Sequence, residues 1–344
     1  MTGAAQAAPR NSRSWWVRPL KWALTAAVLA FVCWRAMGLW EDAARRPFDL
    51  RPGWLLPAGL AYLAGWLPSV WVFRLLLSRS GQRVGPLDTA RAYYCGHLGK
   101  YVPGKALALV IRGRLIVGRG GTLGVGVLAA GLETLISMGA GAAVGVALLP
   151  WCLAGTEVSD ELDQLPAVGF LLARPWIAVL LVAVGTAAAL PVLAALFTRL
   201  AAKLAPPEAR ASVRFSPAVL AAGLAACSLG WVGHGVSLWC CVRAVGGAAT
   251  LVDLPACIGA AGLATAAGFA AVFAPGGVGV REAILIETLS PRPGVGAAAV
   301  AAAVVLRLVW LASELCAAAA LYYVRGVPPP NSPTADAVDP RSGL

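Results

Sequence analysis

The sequence predicts an all-α polytopic membrane protein, with about six full transmembrane helices and two Pro/Gly-broken re-entrant segments arranged as an inverted repeat. Three observations predict it. Hydrophobic residues make up 59% of the chain and charged residues 13%, with a mean hydropathy of +0.75. Several apolar stretches reach the roughly 20 residues needed to cross the hydrocarbon core. Two interrupted stretches, Tyr101-Val-Pro-Gly-Lys105 and Phe273-Ala-Pro-Gly-Gly277, share the pattern aromatic, apolar, Pro, Gly and lie half a chain length apart. Paired interrupted segments in corresponding halves point to the binding site of an inverted-repeat transporter.

Residues 1–19 form a polar tail carrying Arg10, Arg13 and Arg18, predicted to be cytoplasmic and disordered. The first span is 20–40, with Trp22 and Trp40 set for the two interfaces. It has no small-residue cleavage site, which predicts a retained helix and not a signal peptide. The second span is 54–77. Segment 87–117 has short apolar pieces broken by Gly99-Lys-Tyr-Val-Pro-Gly-Lys105 and is predicted to be a re-entrant hairpin. The third span, 122–149, contains Glu133, and its Gly141 and Gly145 have the spacing that lets helices approach closely. An acidic loop at 150–174 is expected outside. The fourth span is 175–196, and Arg199, Lys203, Arg210 and Arg214 follow it on the inside. The fifth span, 217–242, holds Trp231, His234 and Trp239. Segment 254–289 contains the second break, and the last span, 297–324, contains Arg307 and Glu314. The Pro-rich tail 325–344 has too little apolar content to order itself. One transmembrane domain, 20–324, therefore divides into pseudo-repeat halves 20–149 and 175–324.

Lys and Arg gather on both tails and on the even-numbered loops. That asymmetry predicts a multi-pass plasma-membrane protein with a cytoplasmic N-terminus. Charge alone fits either a hairpin or a single crossing for 254–289, and the repeat favours the hairpin. The net charge of +12 lies between apolar segments, as expected against an anionic leaflet, so no nucleic-acid partner is predicted. The eight cysteines show no C-x-x-C spacing, which argues against a disulfide framework or zinc site.

The motifs exclude more chemistry than they suggest. Gly99-x-x-x-x-Gly104-Lys105-Ala106 nearly matches a phosphate-binding loop, but Ala106 lacks the hydroxyl that would hold magnesium. With two histidines, His97 and His234, a multi-histidine metal site is excluded. No catalytic residues, metal or cofactor are predicted, and no enzyme activity. A charge at mid-span costs at least about 2.5 kcal/mol on insertion scales, so an embedded charge implies function or pairing. The candidate anion site takes Lys100, Pro103, Gly104, Lys105 and Arg112 from the first break. From the second it takes Pro275, Gly276, Gly277, Gly279 and Arg281, with Arg307 from the last span. A helix restarting near Val280 would offer free N–H groups and its positive dipole end to an anion. Glu133 and Glu282 neutralise part of the cationic set. Structural ion pairing is the competing reading.

Gly99-Lys-Tyr-Val-Pro-Gly-Lys105 followed by Arg112 resembles one signature of the lysylphosphatidylglycerol synthase transmembrane-region family, the flippase-like domain proteins. Phe273-Ala-Pro-Gly-Gly-Val-Gly-Val-Arg-Glu282 followed by Arg307 resembles the other, and Trp231 with Gly233 resembles a weaker pattern. One departure is in the third span, where the family often carries Glu-Arg and this chain has Glu133-Thr134. The resemblance implies a relative of the flippase half of the multiple peptide resistance factor, which moves an aminoacylated lipid between leaflets. It implies that any aminoacyl transferase belongs to a separate cytoplasmic domain, for which this chain is too short. Some members without that domain are associated with polyprenyl-linked sugar pathways. The expected partner is thus an anionic phospholipid or a lipid-linked polyprenyl-phosphate substrate. The alternative is a membrane-embedded transferase, or an accessory subunit serving a lipid-modifying enzyme.

Overall fold

The computed structural model describes residues 50–101, 106–154, 165–204, 215–271, 277 and 279–323. The predicted first span, the two tails and the acids at 157–163 lie outside the described residues. Among those described there is no strand, and six helices are long and apolar enough to cross a membrane. They are α1 (Leu55–Arg79), α4 (Leu123–Ala147), α7 (Pro175–Leu204), α8 (Pro217–Ala244), α9 (Leu254–Ala270) and α11 (Ala299–Tyr322). Shorter helices fill the intervals: α2 (Pro86–His97), α3 (Ala106–Leu115), α5 (Leu149–Leu153), α6 (Pro166–Ala173) and α10 (Val280–Leu289). Prolines 86, 166, 175 and 217 each open a helix, where the missing N–H would have had no partner anyway. Ser216 caps α8 by accepting the Val219 N–H at 3.3 Å.

Five of these six helices match predicted full spans, and the sixth, α9, does not. The sequence reading divided 254–289 about its Pro/Gly break into two partial arms. The break in fact leaves a first arm, Leu251–Ala270 with its leading turn, that is 20 residues long. The loop expected at 150–174 is likewise partly helical, as α5 and α6.

Small residues set the bundle's centre. α1 and α8 cross where Gly65 meets Gly230 and Gly233, and a methyl group on Gly233 would come within 2.9 Å of the Gly65 Cα. The Gly141/Gly145 spacing works as predicted. Gly141 lies under the Trp231 indole and Gly145 against Leu263, so α4 packs directly on α8 and α9. The outer helix α7 does the opposite. Its Leu180, Leu181, Val184, Val192 and Leu196 are exposed, and a helix apolar on its outer face belongs in lipid.

On either side of each break the two flanking helices pack together, and each such helix pair is called a hairpin below. In the first, α2 and α3 pack together and Arg119 clasps Asp88 at 2.8 Å across the base. In the second, α9 and α10 pack together and Arg292 clasps Asp253 at 3.0 Å. The Arg51 N–H donates to the Ala244 carbonyl at 2.8 Å, so the start of α1 lies beside the end of α8. The first hairpin follows the end of α1 and the second follows the end of α8, so their bases lie at opposite ends of the bundle. Both hairpins pack on α11.

Candidate functional site

Between the two hairpins lies a cavity of about 760 Å³. Its polar wall is built by Lys100 from the tip of the first hairpin, Arg281 from the start of α10 and Arg307 from α11. Its apolar wall comes from α3 and α4, and runs out to Leu135 and Phe269, which are exposed on the bundle surface. The cavity is therefore charged within and open sideways to an apolar exterior.

Beside each break the helix pair is latched to α11 by an ion pair, and the two ion pairs have opposite sense. Lys100 donates to Glu314, and Arg307 donates to Glu282. Residues 307 and 314 share one helix face because seven residues are close to two turns. Glu282 also accepts the Gly279 N–H at 2.6 Å, closing the first turn of α10 as in a capping box. Gly279 has φ +94° and Gly277 has φ +70°, a region that non-glycine residues rarely occupy.

Deeper in, the Arg112 guanidinium donates to Glu133 at 2.7 Å and lies 3.9 Å from the Tyr93 ring centroid. Glu133 is followed by Thr134, not by the arginine common in the related pattern, and takes its guanidinium from α3 instead. Arg112 also donates to His97 Nδ1 at 3.1 Å. Arginine has donors only, so Nδ1 must accept and the His97 proton sits on Nε2. That N–H faces Glu314 Oε1 at 3.6 Å. Tyr62 donates its hydroxyl to the same carboxylate and stacks on Trp310 with centroids 4.4 Å apart.

Arg281 differs from the other cations. Its guanidinium lies 4.2 Å from the Trp310 ring centroid, and among the described residues no carboxylate pairs with it. A cation stacked on an aromatic face keeps its in-plane donors free for a ligand.

Of the predicted site residues, Lys100, Arg112, Glu133, Arg281 and Arg307 line this one cavity. Glu282 stands behind Arg307, and Gly279 supplies the N–H that orients it. Gly277 is buried against Gly268, a close backbone approach that glycine allows. Pro103, Gly104, Lys105, Pro275 and Gly276 lie outside the described residues. Glu314 was legible as a mid-span charge, but its partner Lys100 comes from a distant segment. Tyr62 and Trp310 gave no signal, because aromatic residues in spans are common. Trp231 and Gly233 prove to be packing residues: the indole N–H donates to the Ser137 carbonyl at 2.9 Å and Gly233 abuts Gly65.

The family model for the lysylphosphatidylglycerol synthase transmembrane region matches residues 20–316. The chain belongs to this family. Comparison with curated proteins gave no match. The match covers both helix pairs and every charged residue of the cavity, and membership is consistent with a lipid-related membrane function.

Proposed function

We propose that this family member moves an anionic lipid, a phospholipid or a polyprenyl-phosphate-linked molecule, between leaflets of the plasma membrane. The observation that carries the reading is Arg281, a cation without a carboxylate partner among the described residues, on the cavity wall beside Lys100 and Arg307. Holding a guanidinium in an apolar bundle is costly, and a bound anion would offset that cost. Its planar fork can meet a phosphate with two parallel hydrogen bonds, aided by Lys100 and Arg307. The sideways apolar opening suits acyl or prenyl chains while the headgroup sits inside.

The opposed hairpin bases support reading the two halves as an inverted repeat, with re-entrant segments approached from opposite sides and a cytoplasmic N-terminus. In such transporters the site lies between the repeats near the midplane. The test is reconstitution of the full chain into liposomes with a headgroup-labelled phospholipid. The reading expects exchange between leaflets above that of protein-free liposomes, with the lipid recovered unaltered. A chemically changed lipid, with no exchange, would favour the membrane-embedded transferase instead.

A further inference from the structure

We propose that headgroup binding is coupled to the uptake of one proton by Glu314, with Lys100 as the cation that changes partners. This rests on the reading of the cavity as an anionic-lipid site and adds an energy-coupling step to it.

The geometry around Glu314 is asymmetric. The carboxylate is 1% exposed, whereas the Lys100 side chain is 30% exposed and lines the cavity. Lys100 is thus the element that both the buried carboxylate and a cavity ligand can reach. Its ammonium is a single charge on a flexible stem, able to swing between acceptors. When a phosphate in the cavity takes it, Glu314 is left as a buried carboxylate without its cation. Such a group is expensive unless it is neutralised.

The surroundings narrow the places for the proton to two. Tyr62 from α1 already donates to Glu314 Oε1. His97 from α2 offers Nε2–H, and its Nδ1 is occupied by Arg112. Tyr101 at the first tip, Arg281 from α10 and Arg307 on α11 itself complete the charged and titratable groups nearby. Glu314 Oε2 is buried and has no hydrogen-bond partner among the described residues, so it is the free acceptor. His234 from α8, whose Nδ1 also has no partner among the described residues, stands 5.3 Å from the Tyr62 ring by centroids and is the competing site. The proton comes from water through the cavity, no covalent bond changes, and each anionic headgroup is accompanied by one proton.

The experiment titrates detergent-purified full-length protein with dioleoyl phosphatidylglycerol in weak buffer. Bound lipid is followed by native mass spectrometry and released or absorbed protons by a pH indicator. Linkage expects about one proton absorbed per lipid bound, with affinity rising about tenfold per unit of falling pH over the coupled range. In Glu314→Gln, which keeps an acceptor for Tyr62 and Lys100, proton uptake and the pH slope disappear at lipid saturation. If that variant is poorly folded, Lys100→Gln removes the cation that changes partners and should likewise show no proton uptake at lipid saturation. His234→Asn should retain the uptake. Lipid binding without proton uptake in the native chain overturns the coupling and leaves the site intact, as does uptake that survives in Glu314→Gln. Absence of any lipid binding, or equal binding of inorganic phosphate, contradicts the lipid site itself.

Discussion

Arginines 281, 307 and 112 carry the same charge in three settings, and substitution separates them. Arg307 pairs with Glu282 at the cavity wall, where a planar fork can serve the carboxylate and a phosphate together. Arg307→Lys keeps the charge and loses the fork. The expected result is leaflet exchange at least about tenfold slower, in line with the roughly 1.4 kcal/mol or more carried by one charge-assisted hydrogen bond, with thermal stability near that of the native chain. Arg112 and Glu133 form a pair in which both side chains are at most 5% exposed. Glu133→Ala strands a buried guanidinium and should cost about 3–5 kcal/mol, read as a lower midpoint in thermal unfolding and lower abundance. At Gly277, a methyl group would lie 2.8 Å from the Gly268 Cα at φ +70°. Gly277→Ala should therefore destabilise the protein by at least about 1 kcal/mol from backbone strain alone. Gly139→Ala, where a methyl group meets nothing within 4 Å, should be neutral or slightly stabilising as a helix substitution.

At the scale of elements, the two Asp–Arg clasps fix the hairpin bases while the two ion pairs on α11 hold the tips. Arg292 and Asp253 are 9% and 16% exposed in their side chains, so their pairing is shielded and should be measurable. A double-mutant cycle of Asp253→Asn with Arg292→Gln should give a coupling energy of about 0.5–3 kcal/mol in thermal unfolding. A value near zero would mean that the base is held by other contacts, among them the Arg292 donation to the Trp151 carbonyl. Much of this level was legible in the sequence. Pro/Gly breaks disrupt helical hydrogen bonding whatever surrounds them, so the two interrupted segments could be found from composition. The length of the α9 arm could not, because nothing local says on which residue a run of Ala and Gly stops being helical. The Asp88–Arg119 and Asp253–Arg292 partners were also hidden, since acids near helix starts and basic residues in loops are ordinary surface features.

For the whole molecule, the cavity exists only when α1, α3, α4, α10 and α11 are assembled, and that explains what the sequence withheld. Mid-span charges announce themselves because lipid penalises them, so Glu133, Arg307 and Glu314 were identifiable one by one, and Lys100 and Arg281 through the Pro/Gly breaks they flank. That Arg281 would be the cation stacked on Trp310 with no carboxylate partner among the described residues depends on which charges find each other across long separations. The arrangement of the halves can be checked in membranes. On a background without the native cysteines, Val117→Cys at the base of the first hairpin should label from the cytoplasm. Val252→Cys at the base of the second should label from outside; both positions are exposed. Labelling of both from one side would exclude the inverted arrangement. The central claim, that Arg281 holds a lipid headgroup during transfer, is tested most directly by leaflet exchange of a headgroup-labelled phospholipid in liposomes, with native and Arg281→Ala proteins reconstituted at equal density and equal thermal stability. The account predicts exchange in the native liposomes and near-background exchange in Arg281→Ala; native exchange rates in a well-folded Arg281→Ala would contradict it.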